Sequence, residues 1–420
     1  MIYNSAYAST TKPIRLKEAI KIALKENLNI KIAKNIRKKS LLSNKINTIH
    51  LWAPKANFLV SQDNHWGKKN THLLQSNPIF NLSWDLQSVF NKLFKFKKQN
   101  HENKIYVLTS TKSIEKELQK VVTCHYELAL AQKKGELFNT FIRIAYTKLK
   151  IEEERLKLGF SSKIDCLNAD LVLKKSKLTL LEHQETLKEK RRNFNLILGK
   201  SLNEETLVES NISFKPVWNI TAVTKEKVVN LKTAIQEKKV AIAKNELTKV
   251  KLYPISCLSL LGEIQSNGYT YDLKDSTWRN HPSKAGLRIW ISLDIGRLLI
   301  MPSKIRKSRM ELDSEVLNLN KEKLAAEGKL ENKKWKYRHM LGLYKLVKEQ
   351  MKVSNEKLLL VKENYKMNQL KLLDLQEAEE EVQKAEINLI EYAFKVKQAE
   401  FDLYRLIGNV HEQVEEQNEK

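Results

Sequence analysis

Asp374 and Glu377 stand three residues apart where a long helical pattern begins, in Leu372-Leu373-Asp374-Leu375-Gln376-Glu377-Ala378. Acids in the first turn of a helix interact favourably with its dipole, and within one chain that accounts for both. Residue sets that make or break bonds are missing. There is no GxGxxG, no Walker loop, no HExxH and no GxSxG. The nine histidines are scattered, and Cys124, Cys166 and Cys257 lie far apart with no CxxC pair. That pattern is neither a disulfide framework nor a zinc site. No catalytic residue, no metal and no cofactor are expected, and the chain does not read as an enzyme.

The elements that position the two acids are helices folded back on themselves. In Arg155-Leu156-Lys157-Leu158-Gly159-Phe160-Ser161-Ser162-Lys163-Ile164-Asp165 a glycine is followed by two serines, and helical periodicity runs on both sides. Glycine accepts the left-handed conformation that ends a helix, and a serine just past it caps the next one. The reading is a tight tip between two long helices, residues 155–169. A second tip, 364–378, repeats the design, with Asp374 for Asp165, Ala378 for Ala169 and Asn368 for Gly159. Asparagine also tolerates a left-handed turn.

From Val89 to Leu158 no proline interrupts the helical pattern. At about 1.5 Å per residue, such a rod would span roughly 105 Å. Leu375, Ala378, Val382, Ala385, Leu389, Tyr392, Val396, Ala399, Leu403 and Leu406 step by three and four, a coiled-coil seam whose alanines admit a close neighbour. Other stretches have period two. Phe80, Leu82, Trp84 and Leu86 alternate with Asn81, Ser83, Asp85 and Gln87; Leu287, Ile289, Ile291, Leu293 and Ile295 alternate with Arg288, Trp290, Ser292 and Asp294. These are strands with one apolar and one polar face.

The chain is a duplication. Asp294 follows Asp85, Asp374 follows Asp165 and Gly408 follows Gly199 by the same 209 residues, although Pro254 follows Pro54 by 200. The first repeat is placed at 15–200, with a helix from Leu16 to Leu51, a strand pair at 56–63 and 78–87 separated by a polar loop, a long helix, a tip and a return helix. A connector spans 201–228. The second repeat, 229–409, has its strand pair at 255–264 and 286–296, and 410–420 is a polar tail. Ala6-Tyr7-Ala8 has the small-x-small form of a signal-peptidase site, so residues 1–14 are expected to be a signal-peptide remnant or an N-terminal tail.

Composition narrows the classes. Charged residues make up 30% of the 420, and the mean hydropathy is −0.48. No window approaches the roughly 18 uncharged apolar residues of a membrane-spanning helix. The net charge of +26 comes from lysines spread along helical faces. No cluster of Arg, Asn, Gln and aromatic platforms suited to nucleic acid appears, and no nucleic-acid partner is expected.

The ordered set of elements resembles the TolC-type outer membrane efflux proteins. The resemblance runs from Leu16 to Gly408. It is carried by Leu16-Lys17-Glu18-Ala19-Ile20-Lys21-Ile22-Ala23-Leu24, by the tip Arg155-Leu156-xx-Gly159-xx-Ser162 with Asp165, by Leu198-Gly199 and Ile407-Gly408, and by the duplication itself. It implies a mainly α fold with a small β part. Each protomer would supply duplicated long helical hairpins and four strands to a trimeric α-barrel continued by a 12-stranded β-barrel. It implies a passive exit duct in the cell outer membrane, extending into the periplasm, for a tripartite efflux or type I secretion system. The expected partners are two further copies, a periplasmic adaptor, an inner-membrane pump and outer membrane lipid.

The resemblance also assigns residues. Leu158, Gly159, Phe160, Met367, Asn368 and Gln369 would be docking tips for the adaptor. Asp374 and Glu377 would ring the tunnel entrance as six carboxylates in a trimer, raising some of their pKa values and attracting cations. Tyr365 would help to hold the entrance shut. The arginine partner found in relatives is replaced by Leu370, with Lys371 beside it. Two alternatives compete: a soluble coiled-coil scaffold or basic nucleic-acid-binding rod, and a periplasmic adaptor.

Overall fold

The computed structural model describes residues 12–66, 72–85, 89–210, 230–252, 258–265, 269–272, 277–280, 282, 284–291, 295–367, 369–370 and 372–407. Ala6-Tyr7-Ala8, Asp294, Asn368, Lys371, Gly408 and most of the connector lie outside these residues. The elements in chain order are α1 (Leu16–Glu26), α2 (Leu28–Trp52), β1 (Lys55–Trp66), β2 (His72–Asp85), α3 (Val89–Lys157), α4 (Lys163–Leu198), α5 (Leu231–Lys251), β3 (Leu258–Gln265), β4 (Tyr269–Asp272), β5 (Thr277–Asn280), β6 (Lys284–Ile291), α6 (Ile295–Leu299), α7 (Met301–Lys366) and α8 (Leu372–Ile407). They fall into two units, one of residues 1–35, 111–230 and 325–420, the other of 36–110 and 231–324. No helix among the described residues is long and apolar enough to cross a membrane.

In the first unit the N-terminal helix is broken, where periodicity alone reads it as continuous from Leu16 to Leu51. The break is Asn27, which is buried. Its Oδ1 accepts from the Ile30 N–H at 2.9 Å and so caps α2, while its Nδ2 donates to the Ile197 carbonyl at 2.6 Å. An amide that satisfies two backbone groups at once fixes a kink that an apolar pattern cannot show. Gly199 closes the same corner at φ 77°, and a Cβ there would lie 2.7 Å from the Glu26 carbonyl oxygen. Ala19, Ile20, Ala23, Val121, Val122, Leu128, Phe194 and Phe394 form the core around this corner.

Within this unit α8 touches each of the other long helices through three consecutive acids. Glu379 pairs with Lys148 of α3 at 2.9 Å, Glu380 with Lys175 of α4 at 3.4 Å, and Glu381 with Lys357 of α7 at 2.8 Å. Farther along α8, Val396, Ala399 and Leu403 bury Tyr337 of α7. Ala378, Ala385 and Ala399 are almost fully buried, as close helix approach requires. The outer faces of α4 and α7 carry apolar side chains with nothing over them. On α4 these are Ile164, Leu167, Leu171, Leu178 and Leu181; on α7 they are Leu346, Val353 and Leu360.

The second unit contains an antiparallel six-stranded sheet in which β2 pairs with β1 on one side and with β3 and β4 on the other, β3 pairs with β6, and β4 with β5. Two strands exceed the four read from the sequence, because the polar-aromatic loop holds the short β4–β5 hairpin. His65, Trp66 and His72, read as loop, are strand residues, with Trp66 opposite His72. Pro78 sits inside β2, but in the gap between the residues that pair with β4 and those that pair with β3. On that side of β2 there is no ladder for a residue without an N–H to feed, while on the other side Pro78 stands opposite Val60 of β1. Phe58 lies opposite Phe80 and Leu260 opposite Ile289. Phe58, Leu287 and Ile289 are all exposed. β1 and β6 each have one unpaired edge among the described strands.

Candidate functional site

Among the described residues, two backbone bonds of the first tip recur in the second. At the end of α3, the Phe160 N–H donates to the Arg155 carbonyl at 2.8 Å and the Gly159 N–H to Leu156 at 3.1 Å. With Gly159 at φ 78°, this is a Schellman closure. At the end of α7, the Gln369 N–H donates to Asn364 at 2.9 Å, and Met367 bonds to Glu363 as Leu158 does to Glu154. The bonded pairs of one tip lie 209 residues from those of the other. α4 then starts with a capping box. The Ser162 hydroxyl accepts from the Asp165 N–H at 3.1 Å, and the Asp165 carboxylate accepts from the Ser162 N–H at 3.2 Å. Apolar side chains stand out from both tips: Leu158 is 70% exposed, Phe160 72% and Met367 63%.

A buried carboxylate ties the tips together. Glu152 of α3 is only 2% exposed. It accepts from the Tyr365 hydroxyl at 2.9 Å and from the Ser161 hydroxyl at 2.8 Å. Arg155 reaches it at 3.9 Å and lies over the Tyr365 ring at 5.0 Å. Each charged or polar group in this set therefore has a partner, which burial of a carboxylate demands. Burial, then the hydrogen bond to Glu152 and its charge, push the Tyr365 phenol up to about 12.

The sequence singles out Tyr365 but not Glu152. In Ile151-Glu152-Glu153-Glu154-Arg155 nothing separates the buried acid from its less buried neighbours except helical phase. Arg155 belongs to the first tip, and no change at Leu370 points to it. Asp374 is a half-buried first-turn acid of α8, and Glu377 is exposed. Neither lines the cavity of about 580 Å³ beside Tyr365, where α8 contributes Leu375 and Glu379. Of the proposed entrance residues, Tyr365 joins the Glu152 network. Among the described residues no group of His, Cys, Asp and Glu is arranged to hold a metal.

No family model and no curated protein matches the sequence. Solved structures do. The Campylobacter jejuni CmeC outer membrane channel superposes with a TM-score of 0.80 at 12% identity, over 94% of this chain and 85% of that one. The outer membrane protein VceC of Vibrio cholerae gives 0.75 at 13% identity, over 94% and 96%. CusC, a transmembrane channel, gives 0.78 at 13%, over 94% and 92%. The chain has the fold of these outer membrane channels, in keeping with its resemblance to the TolC-type proteins.

Proposed function

We propose that three copies of this chain close into a duct that crosses the outer membrane and extends through the periplasm as the passive exit of a tripartite efflux or type I secretion system. The observation that carries this reading is that the four longer strands run β1-β2-β3-β6 with β1 and β6 open at the two ends, the four-residue β5 being a third, short edge, on a sheet with exposed apolar residues. Exposed edges invite pairing, and a closed barrel removes them. Joining β1 of one copy to β6 of the next makes a 12-stranded barrel from the four longer strands of each, with lipid against residues such as Phe58, Leu287 and Ile289.

The helices support the same closure. α4 runs away from the tips and α7 runs towards them, so in a side-by-side pair their apolar residues alternate in level. Ile164 and Leu167 come nearest the tip, then Leu360, Leu171, Val353, Leu178, Leu181 and Leu346. Such head-to-tail contacts close into rings. Leu158, Gly159, Phe160, Met367, Asn368 and Gln369 are the proposed docking tips for an adaptor hairpin, which an inner-membrane pump drives. Tyr365 latches the entrance and Asp374 and Glu377 ring it; the chain itself does no chemistry.

The test is electrical. The protein, extracted in detergent and placed in a planar bilayer, should conduct, and multivalent cations should block the current. Replacing Asp374 and Glu377 with alanine should weaken the block. No conductance contradicts the duct; unaltered block in the variant removes the two acids from the entrance.

A further inference from the structure

The cavity beside the Glu152–Tyr365 latch has a composition that the duct reading does not use. Its volume of about 580 Å³ is within the ordinary range for small-molecule sites. Its apolar lining comes from Ile144 and Ile151 of α3 and Leu375 of α8. Among the described residues five cations line it, Arg143, Lys148, Arg155, Lys362 and Lys366, against two acids, Glu152 and Glu379. Both acids are already engaged, Glu379 by Lys148 and Glu152 by the hydroxyls of Tyr365 and Ser161. The cavity therefore has three positive charges in excess next to an apolar surface.

We propose that this cavity is a binding site for organic anions with an apolar body, such as aryl or alkyl sulfonates and carboxylates. The apolar part rests on Ile144, Ile151 and Leu375, and the anionic head meets Lys362, Lys366 and Arg143. Charge on a rim around an apolar floor selects for molecules that carry both features. In the proposed ring of three, the two α7 lysines point away from the row that would meet the next copy. On α7 the uncovered row is Leu346, Val353 and Leu360, and at 3.6 residues per turn Lys362 and Lys366 lie about 200° and 240° round the helix from Leu360. Binding is measured on the protein in neutral detergent and does not depend on conduction.

Three probes with one ring system separate the contributions: naphthalene-2-sulfonate, naphthalene-2-sulfonamide and 2-naphthylmethylammonium. Equilibrium dialysis against the full-length protein should show the sulfonate held most tightly and the ammonium least. Lys362→Gln with Lys366→Gln should weaken sulfonate binding at least tenfold. Lys348→Gln with Lys352→Gln, on the same helix outside the cavity, should leave it unchanged. All four lysines are exposed, so the variants retain the fold. Equal uptake of the three probes, undiminished binding by the first variant, or equal loss in the second overturns the proposal.

Discussion

Tyr365→Phe removes one hydroxyl and nothing else from the tip. The lost contact is a hydrogen bond of 2.9 Å to a buried carboxylate. Bonds to charged acceptors contribute about 1.5–3 kcal/mol, and because Tyr365 is half-buried the lower figure applies. At about 1.4 kcal/mol per factor of ten, the equilibrium between joined and parted tips shifts at least tenfold towards parted in each protomer. Glu152 keeps the Ser161 hydroxyl at 2.8 Å and Arg155 at 3.9 Å, so the carboxylate is not abandoned and the fold survives. In single-channel recordings the variant should spend a larger fraction of time in its high-conductance level, with an unaltered far-ultraviolet spectrum. Gating identical to the parent protein would refute the assignment of Tyr365 and Glu152 as a latch between α3 and α7.

Other perturbations test the architecture. Gly199→Ala forces a left-handed residue and a 2.7 Å contact with the Glu26 carbonyl, and should cost about 2–4 kcal/mol in a denaturant melt, whereas Gly159→Ala, with nothing within 4 Å, should cost only about 1 kcal/mol. Cysteines at Leu171 and Leu360 should form a disulfide between chains and none within a chain, read as a ladder on a non-reducing gel. His125 is buried, its Nε2–H donates to the Ile14 carbonyl at 3.1 Å, and its Nδ1 has no partner among the described residues. Burial, opposed by the bond to Ile14, holds its pKa below the ordinary imidazole value. The unfolded chain then takes up the proton more readily, so stability is intact above about pH 6.5 and is lost as pH falls below it. His125→Gln should flatten that acid limb in thermal melts.

The parts legible in the sequence are those where one residue type has one structural use. Gly159 and Gly199 take positive φ, and Ser162 accepts the N–H that starts α4. The apolar steps of α8 mark its buried face because a long helix leaves no other period. What was not legible depends on residues far apart in the chain. Asn27 breaks a helix only because Ile197 offers it a carbonyl. Glu152 is buried only because Tyr365 and Ser161 come to it, and the same letter at Glu153 and Glu154 stays at the surface or half-buried. The second strand was read as starting at residue 78, whereas β2 starts at His72 and carries Pro78 in its interior, in a gap between partners that only the pairing of β3 and β4 reveals. The family resemblance assigned Tyr365 to the entrance, while its acid was hidden in a run of acids.

The central claim is that one chain is a third of a wall. The mass of the detergent-extracted protein, measured by native mass spectrometry, tests it most directly. Three chains of 49.0 kDa give a particle of about 147 kDa, and that is the expected result. A species of 49.0 kDa that stays dispersed without detergent would contradict the account.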